Sequence, residues 1–350
     1  MKLVDKKILI ISPESWDHIW ISKHHYAKTL AEMGACVVFA NPPKSNWKIT
    51  PTETQKLRVL DYPKFVSALR KFPNWLSRLL IKRKLSQIEK YCQMKFDIVW
   101  SFDNSVFFDF TLLKPRLCIS HIVDLNQDFE FQRAYHTSDI FLACSTAILD
   151  QASTKKSKAF FINHGYSVQR ETTHLSIAKN KGINVGYAGN LDLKYIDWVT
   201  LNSVVASYEQ CNFHFAGPGI LGLNKTYENV FSYGPLSKSH LTSFYDQMHV
   251  LIICYDADNN KDQLSNPHKM MEYLGTGKPI VASLSTSYRD NDNILMSDRQ
   301  NQWPYKFEEC LNNFDYWNSF ELIEKRKKLS QKNTYKRQIE RIEKLINHHG

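Results

Sequence analysis

"SNPHKMMEYLGTGKPIVAS", Ser265–Ser283, reads as a helix, a tight turn and a buried strand in close succession. Ser265 and Asn266 are both suited to cap a helix N-terminus, and Pro267 suits the first helical position, where its missing N–H costs nothing. Met270, Met271 and Leu274 give the helix an apolar side, Gly275 and Gly277 can end it, and Pro279–Ser283 is short and apolar enough for a buried strand.

Reading outward from this unit, the same alternation recurs. Upstream lie "INVGYAGN" from Ile183, "NFHFA" (Asn212–Ala216), Val230–Tyr233 and "VLIICY" (Val250–Tyr255). An earlier series opens with "KILIIS" (Lys7–Ser12), a helix over Ile19–Met33 stopped by Gly34, and "CVVFA" (Cys36–Ala40). It continues through "FDIVWS" (Phe96–Ser101), "RLCISHI" (Arg116–Ile122) and "IFLACS" (Ile140–Ser145). Short apolar strands alternating with helical segments predict open parallel sheets covered by helices. Polar residues crowd between Ser167 and Gly182, so the chain is expected to form two Rossmann-like α/β domains, 1–166 and 183–325, joined by a linker over 167–182. Residues 326–350 form a Lys- and Glu-rich helical tail, read as solvated or as returning to the first domain. A length of 350 residues suits two cores of about 150 each, and 43% hydrophobic residues can fill both.

Chemistry follows from the same stretch. Unpaired N–H groups and the positive dipole end at a helix start attract anions, and Lys269 adds a full charge in the first turn. Glu272 lies three residues on and on the same face, placed to accept hydrogen bonds from hydroxyls attached to a bound phosphate. That combination describes a nucleotide or nucleotide sugar, although an amphipathic helix with a solvated Lys269–Glu272 pair has the same spacing.

Seven widely spaced cysteines without a C-x-x-C pair look like reduced core residues of a cytosolic protein. The apolar run after the first lysines is too short for a signal peptide, and no window approaches a membrane span. The formal charge of +10 is concentrated: Lys44–Lys95 holds 13 Lys or Arg against three acids. Within it, Phe65–Cys92 interleaves Phe65, Phe72, Trp75, Leu76, Leu79 and Leu80 with Arg70, Lys71, Arg78, Lys82, Arg83 and Lys84, with Pro73 starting or kinking a helix. A basic helix with an aromatic and leucine face suits an anionic membrane surface; the same pattern suits a surface helix with its leucines in the core. No nucleic-acid-binding module accompanies it.

Five motifs together carry a resemblance: "WDHIWISKHHYAKTLAEMG" after the first strand, "LACSTAIL" with "INHGYS", "VGYAGNLDLKYIDW", "FHFAGPG" and "NPHKMMEYLGTGKPIVAS". The chain resembles bacterial glycosyltransferases of the GT-B architecture, in particular the family-4-like enzymes of surface polysaccharide synthesis, such as teichuronic acid and xanthan-type glucuronosyltransferases. The resemblance implies a cytoplasmic transferase, docked on the inner face of the membrane, that moves a sugar from a nucleoside diphosphate, UDP foremost, to a lipid-linked or oligosaccharide acceptor. Cofactor, metal and nucleic acid are not expected. It places Gly189 and Asn190 against the donor by backbone, Gly217 near the base or ribose, Lys269 on the diphosphate and Glu272 on the ribose, within the donor stretch Ser265, Asn266, Pro267, His268, Lys269 and Met270. One departure stands out: retaining relatives carry a second glutamate eight positions before the first, and here that position is Leu264.

An inverting mechanism would then need a base from the first domain, and Asp124, ending the apolar "CISHIVD", is the first choice over Asp128, Asp17 and His24. Trp16, Asp17, His18 and His24, after the first strand, are candidate acceptor contacts. Asp256–Asp258 ("DAD") is a weak metal motif, and His348 and His349 read as tail. Another enzyme of the same architecture, such as a nucleotide-sugar epimerase, and a non-catalytic nucleic-acid binder are the alternatives.

Overall fold

A computed structural model describes residues 1–18, 20–114, 116–123, 130–152, 158–167, 173–178, 181–224, 226–261 and 264–349. The chain divides into two compact units, Met1–Gly165 with Tyr335–Gly350, and Tyr166–Thr334.

The first unit is built on strands β1 (Lys7–Ile11), β2 (Cys36–Ala40), β3 (Lys48–Pro51), β4 (Leu57–Asp61), β5 (Ile98–Ser101), β6 (Leu117–Ile122), β7 (Ile140–Ala143) and β8 (Ala159–Phe161). They lie in the order β3-β4-β2-β1-β5-β6-β7-β8, parallel except for the β3–β4 pair. Helices α1 (Ser22–Glu32), α2 (Asn74–Cys92), α3 (Phe131–Thr137), α4 (Thr146–Ala152) and α11 (Tyr335–His349) belong to this unit. Alternate strand positions feed two cores: Ile8, Ile10, Ile98 and Trp100 on one face, Leu9, Ile11 and Val99 on the other.

The second unit has β9 (Ile183–Ala188), β10 (Cys211–Ala216), β11 (Val230–Ser232), β12 (Val250–Ile253), β13 (Ile280–Ser283) and β14 (Leu295–Ser297). Helices α5 (Trp198–Ser207), α6 (Lys238–Asp246), α7 (His268–Thr276), α8 (Trp303–Asn312), α9 (Phe314–Trp317) and α10 (Phe320–Lys332) complete it. All neighbouring strands are parallel, in the order β11-β10-β9-β12-β13-β14. The chain winds outward from β9 through β10 to β11, then returns to β12 on the other side, so the winding direction reverses between β9 and β12. In open α/β sheets the crevice beyond the carboxyl ends of two such strands is where ligands bind.

Several boundaries differ from the sequence reading. The first helix begins at Ser22, and Pro267 is the N-cap of α7 rather than its first residue, so the cap position itself supplies no side-chain hydrogen bond. The α7 stop is as expected: Gly277 has φ 78°, a left-handed conformation that favours glycine. The tail is not solvated. In α11 Tyr335, Ile339, Ile342 and Ile346 fall on one face and are buried in the first unit's core beside α1. On α10 the guanidinium of Arg326 is fully buried and donates to the carbonyls of Gly277, Asn293 and Trp317.

The basic segment forms α2, started by Pro73 as N-cap. Ile81, Leu85, Ile88 and Cys92 enter the core, as an amphipathic surface helix requires. Arg78 reaches buried Asp109 at 3.0 Å and Lys84 donates to the carbonyls of Pro63 and Lys64, so these two cations are committed to the fold. Arg70, Lys71, Trp75, Lys82 and Arg83 remain exposed.

Replacing Ile342 by Ala removes a fully buried side chain and should cost the first unit about 3 kcal/mol, on the order found for large-to-small core changes. Urea unfolding followed by Trp fluorescence measures it; a loss under about 1 kcal/mol would show that α11 is dispensable to that core.

Candidate functional site at the β9–β12 reversal

Three segments meet beyond the carboxyl ends of β9, β10 and β12. Gly189 follows β9, Gly217 follows β10, and the run Ser265–Met270 leads into α7 after β12. Ser265 is buried, and its carbonyl accepts from Ser285 Oγ at 2.8 Å and Ser287 N at 2.9 Å, which fixes the approach to the helix. Pro267 and His268 are half-buried, and Met270 is wholly in the core.

The glycines are required by proximity. A Cβ on Gly217 would overlap the Gly189 carbonyl, and a Cβ on Gly189 would overlap Cε and Nζ of Lys269. The Lys269 ammonium thus lies over the end of β9, 5.3 Å from the centroid of the Tyr187 ring. Tyr187 and Tyr255 share a hydrogen bond between hydroxyls at 3.1 Å, and Ala188 N donates to the Tyr273 hydroxyl at 3.0 Å. Burial first, and then neighbouring tyrosines, push the Tyr187 phenol well above its ordinary range, so it stays neutral beneath the cation. Asn190 is exposed; its side chain accepts from Asp192 N, leaving its backbone at the edge of the crevice.

Glu272 stands one turn along α7 from Lys269. Its Oε2 accepts from the Tyr245 hydroxyl at 3.1 Å and its Oε1 lies 3.7 Å from His268 Nδ1. Burial raises its carboxyl above the usual range, opposed by Lys269, the Tyr245 hydrogen bond and Lys238. The arrangement offers an unshielded helix start and an ammonium to an anion, and an anchored carboxylate to hydroxyls one turn further on. Leu264, eight residues before Glu272, is buried. Asp256 is engaged by the Asn259 amide at 2.8 and 3.0 Å, and Asp258 accepts from Gln300 N.

In the first unit Trp16 and His24 pack together, ring centroids 5.7 Å apart, and the other candidates do not join them in one described group. Asp17 and His18 are exposed, and Trp16 packs on Trp20 at 4.8 Å and Phe39 at 5.0 Å. His24 is buried, with Nδ1 accepting from Ile21 N at 3.2 Å and Nε2 facing the Ser15 carbonyl at 3.0 Å, so both ring nitrogens serve the start of α1. Asp124 and Asp128 lie outside the described residues.

Sequence reading missed a polar group at the ends of β1, β5 and β6. Lys23, only 1% exposed, ion-pairs with Glu14, and both charges act on buried Asp103, whose carboxyl is raised chiefly by burial and held by Ser105 N at 2.8 Å. Asn104 Oδ1 accepts from Ser120, while its Nδ2 and the Nδ1 of His121 have no partner among the described residues. Burial, then His164 and Lys23, pushes His121 down to about 3. Asp103 lies two residues beyond the end of β5, a strand-end position like the one that singled out Asp124, and that signal would have found it. The other missed groups, Tyr187, Tyr245, Tyr273 and Lys238, sit on core-patterned elements with no local signal.

The sequence matches no known family profile and no curated protein. Solved structures match over nearly the whole chain. The crystal structure of HepE from Anabaena with UDP and glucose has a TM-score of 0.67 at 10% identity, covering 98% of this chain and 99% of that one. A trehalose-6-phosphate protein from E. coli bound with UDP-2-fluoro glucose gives 0.62 at 10%, covering 97% and 98%. WaaB, a lipopolysaccharide outer core galactosyltransferase, gives 0.61 at 13%, covering 98% and 99%. The fold is GT-B.

Gly217→Ala sets a Cβ against backbone and should cost about 3 kcal/mol; Gly189→Ala meets the flexible end of Lys269 and, at 3.2 Å, the Tyr187 hydroxyl, and should cost less, about 2. Melting temperatures of the two variants test this order, and equal losses would contradict it.

Proposed function

We propose that the protein is a metal-independent glycosyltransferase that moves a hexosyl or glycuronosyl unit from a nucleoside diphosphate sugar, UDP foremost, to a lipid-linked or oligosaccharide acceptor in bacterial surface polysaccharide synthesis. The observation that carries this is the placement of Lys269 and the α7 start at the β9–β12 reversal, with Glu272 one turn further on. HepE with UDP and glucose, and the E. coli protein with UDP-2-fluoro glucose, support the choice of UDP.

In this reading the diphosphate rests on the first-turn amides of α7 and on Lys269, while the segments at Gly189–Asn190 and Gly217 approach the donor by backbone. Glu272 accepts from the ribose hydroxyls. As the bond from C1 to the phosphate oxygen breaks, the departing diphosphate gains charge, and the fixed dipoles and ammonium stabilise it where little water competes. The acceptor hydroxyl attacks C1 and releases its proton to a base, for which Asp124 remains the choice on sequence grounds. Leu264 in place of the second acid leaves room for an inverting outcome.

The surface of α2 and the segment before it supports docking on an anionic inner membrane face. Trp75 is 62% exposed and Leu79 48%, with Arg70, Lys71, Lys82 and Arg83 exposed around them. Such a face combines apolar insertion with attraction to acidic headgroups.

Two measurements test the proposal. UDP or UDP-glucose at about 100 times its Kd should stabilise the protein by about 2.7 kcal/mol, a rise of several degrees in Tm, and Lys269→Ala should lose most of it. No shift with any nucleoside diphosphate or its sugars would defeat the donor assignment. Sedimentation with vesicles containing phosphatidylglycerol tests docking: Lys71→Glu/Lys82→Glu/Arg83→Glu should abolish binding, whereas Lys84→Glu should act mainly through stability. Unchanged sedimentation of the triple variant would refute a membrane role for this face.

A further inference from the structure

Helix α6 lies beside α7 and was assigned no part in the site. Lys238 opens it and Tyr245 lies seven residues on, so the two share a face. That face is turned to Glu272: the Tyr245 hydroxyl donates to Glu272 Oε2 at 3.1 Å, and the Lys238 charge acts on the same carboxylate. Tyr245 is itself immobilised. It is 7% exposed, and its ring meets Tyr273 edge-on at 5.6 Å and Phe244 at 5.9 Å. Tyr273 in turn accepts from Ala188 N at the end of β9, so the hydroxyl holding Glu272 is referenced to the strand that carries Gly189.

A glutamate on a helix surface has three rotatable bonds and samples several positions. Here one oxygen is taken by a buried phenol and the other faces His268, so the carboxylate is fixed before any ligand arrives. Its side chain is still 31% exposed, so Oε1 and the remaining lone pair of Oε2 are left to accept from a ligand. A carboxylate fixed in this way matches a vicinal diol, which can donate two hydrogen bonds to it at once. A single hydroxyl makes only one.

We propose that Tyr245 is a positioning residue that, by fixing Glu272, makes the site selective for a nucleotide with both ribose hydroxyls. This rests on the donor-site reading above and adds to it a second helix and a specificity. The phenol favours the charged carboxylate, so it also sets where acid weakens binding. The groups facing Glu272 are Lys269, His268 and Tyr273 on α7, Lys238 and Tyr245 on α6, and Tyr166, whose ring lies against Gly275. Burial already places the Glu272 carboxyl above its ordinary range, and removing one hydrogen bond to the anion raises it further. Nucleotide affinity in Tyr245→Phe should therefore begin to fall at a higher pH than in the wild type as acid is added, the other facing groups being unchanged.

The test is calorimetric titration of the full chain with UDP and with 2′-deoxy-UDP, between pH 5 and 8, for wild type, Tyr245→Phe, Glu272→Gln and the double variant. Phe keeps the buried ring, and circular dichroism with the melting temperature confirms the fold; Tyr245→Trp serves as the second variant if Phe is unstable. The wild type should prefer UDP by about tenfold. Tyr245→Phe should reduce that preference to about threefold or less and move the acid limb upward. The double variant should bind no worse than Glu272→Gln, because Tyr245 acts through that side chain. If the wild type binds UDP but Tyr245→Phe keeps the preference and the acid limb, or if the two losses add, the positioning role is overturned while the donor site stands. If no form binds UDP, the donor-site reading itself fails.

Discussion

At Gly189 the space a Cβ would fill is occupied by the end of Lys269, and the carboxyl edge of the second sheet is arranged around that close approach. Lys269 can lie there only because β9 and β12 are neighbours and the chain enters α7 immediately beyond them. The contact is stitched from below: the Tyr187 and Tyr255 hydroxyls join the ends of β9 and β12, and Tyr273 on α7 accepts from Ala188. Gly217 repeats the requirement one strand over, where only hydrogen fits against the Gly189 carbonyl. At the other end of α7, Gly277 turns the chain and gives its carbonyl to buried Arg326. The helix is held at both ends, and its first turn remains open.

Such a site works by charge placement. An ammonium over a neutral phenol ring gains modest attraction and gives up little hydration, so it remains available to an anion. A carboxylate 4.5 Å or so further along the axis, at about 1.5 Å rise per residue, would repel a diphosphate placed beside it but suits the hydroxyls beyond. Polarity along α7 thus orders a ligand with its negative groups at the helix start and its neutral polar groups one turn later. That sequence of groups is the chemical order of a nucleoside diphosphate.

Much of this was legible before folding. The strands from "KILIIS" to "IVAS" were readable because buried parallel strands are short apolar runs, and the pivotal residues Gly189, Gly217, Lys269 and Glu272 stood at the breaks between periodic segments. What could not be read depended on neighbours distant in sequence. Arg78 and Lys84 look like their exposed neighbours until Asp109 and the carbonyls of Pro63 and Lys64 are brought beside them. The tail left two readings, solvated or returning to the first domain, because Lys and Glu dominate it, yet the spacing of Tyr335, Ile339, Ile342 and Ile346 was there to be counted. The hairpin of β3 and β4 escaped because its turn uses Lys56 at φ 63° where glycine would have signalled it. Tyr245 was invisible for a simpler reason: a tyrosine among "LTSFYD" reads as core until its hydroxyl finds an acceptor on another helix.

The two sheets also finish differently, and the difference is chemical. Beyond β9 and β10 come glycines, whose missing Cβ atoms allow close approach of backbone and of one cation, Lys269. At the ends of β1, β5 and β6 stand Glu14, Asp103, Asn104 and, within β6, His121, with Glu14 ion-paired to Lys23 and Asn104 accepting from Ser120. Buried polar atoms left without partners cost stability, so Asn104 Nδ2 and His121 Nδ1 are groups that a water or a ligand hydroxyl would satisfy. An anion needs donors only; a hydroxyl needs a donor and an acceptor together.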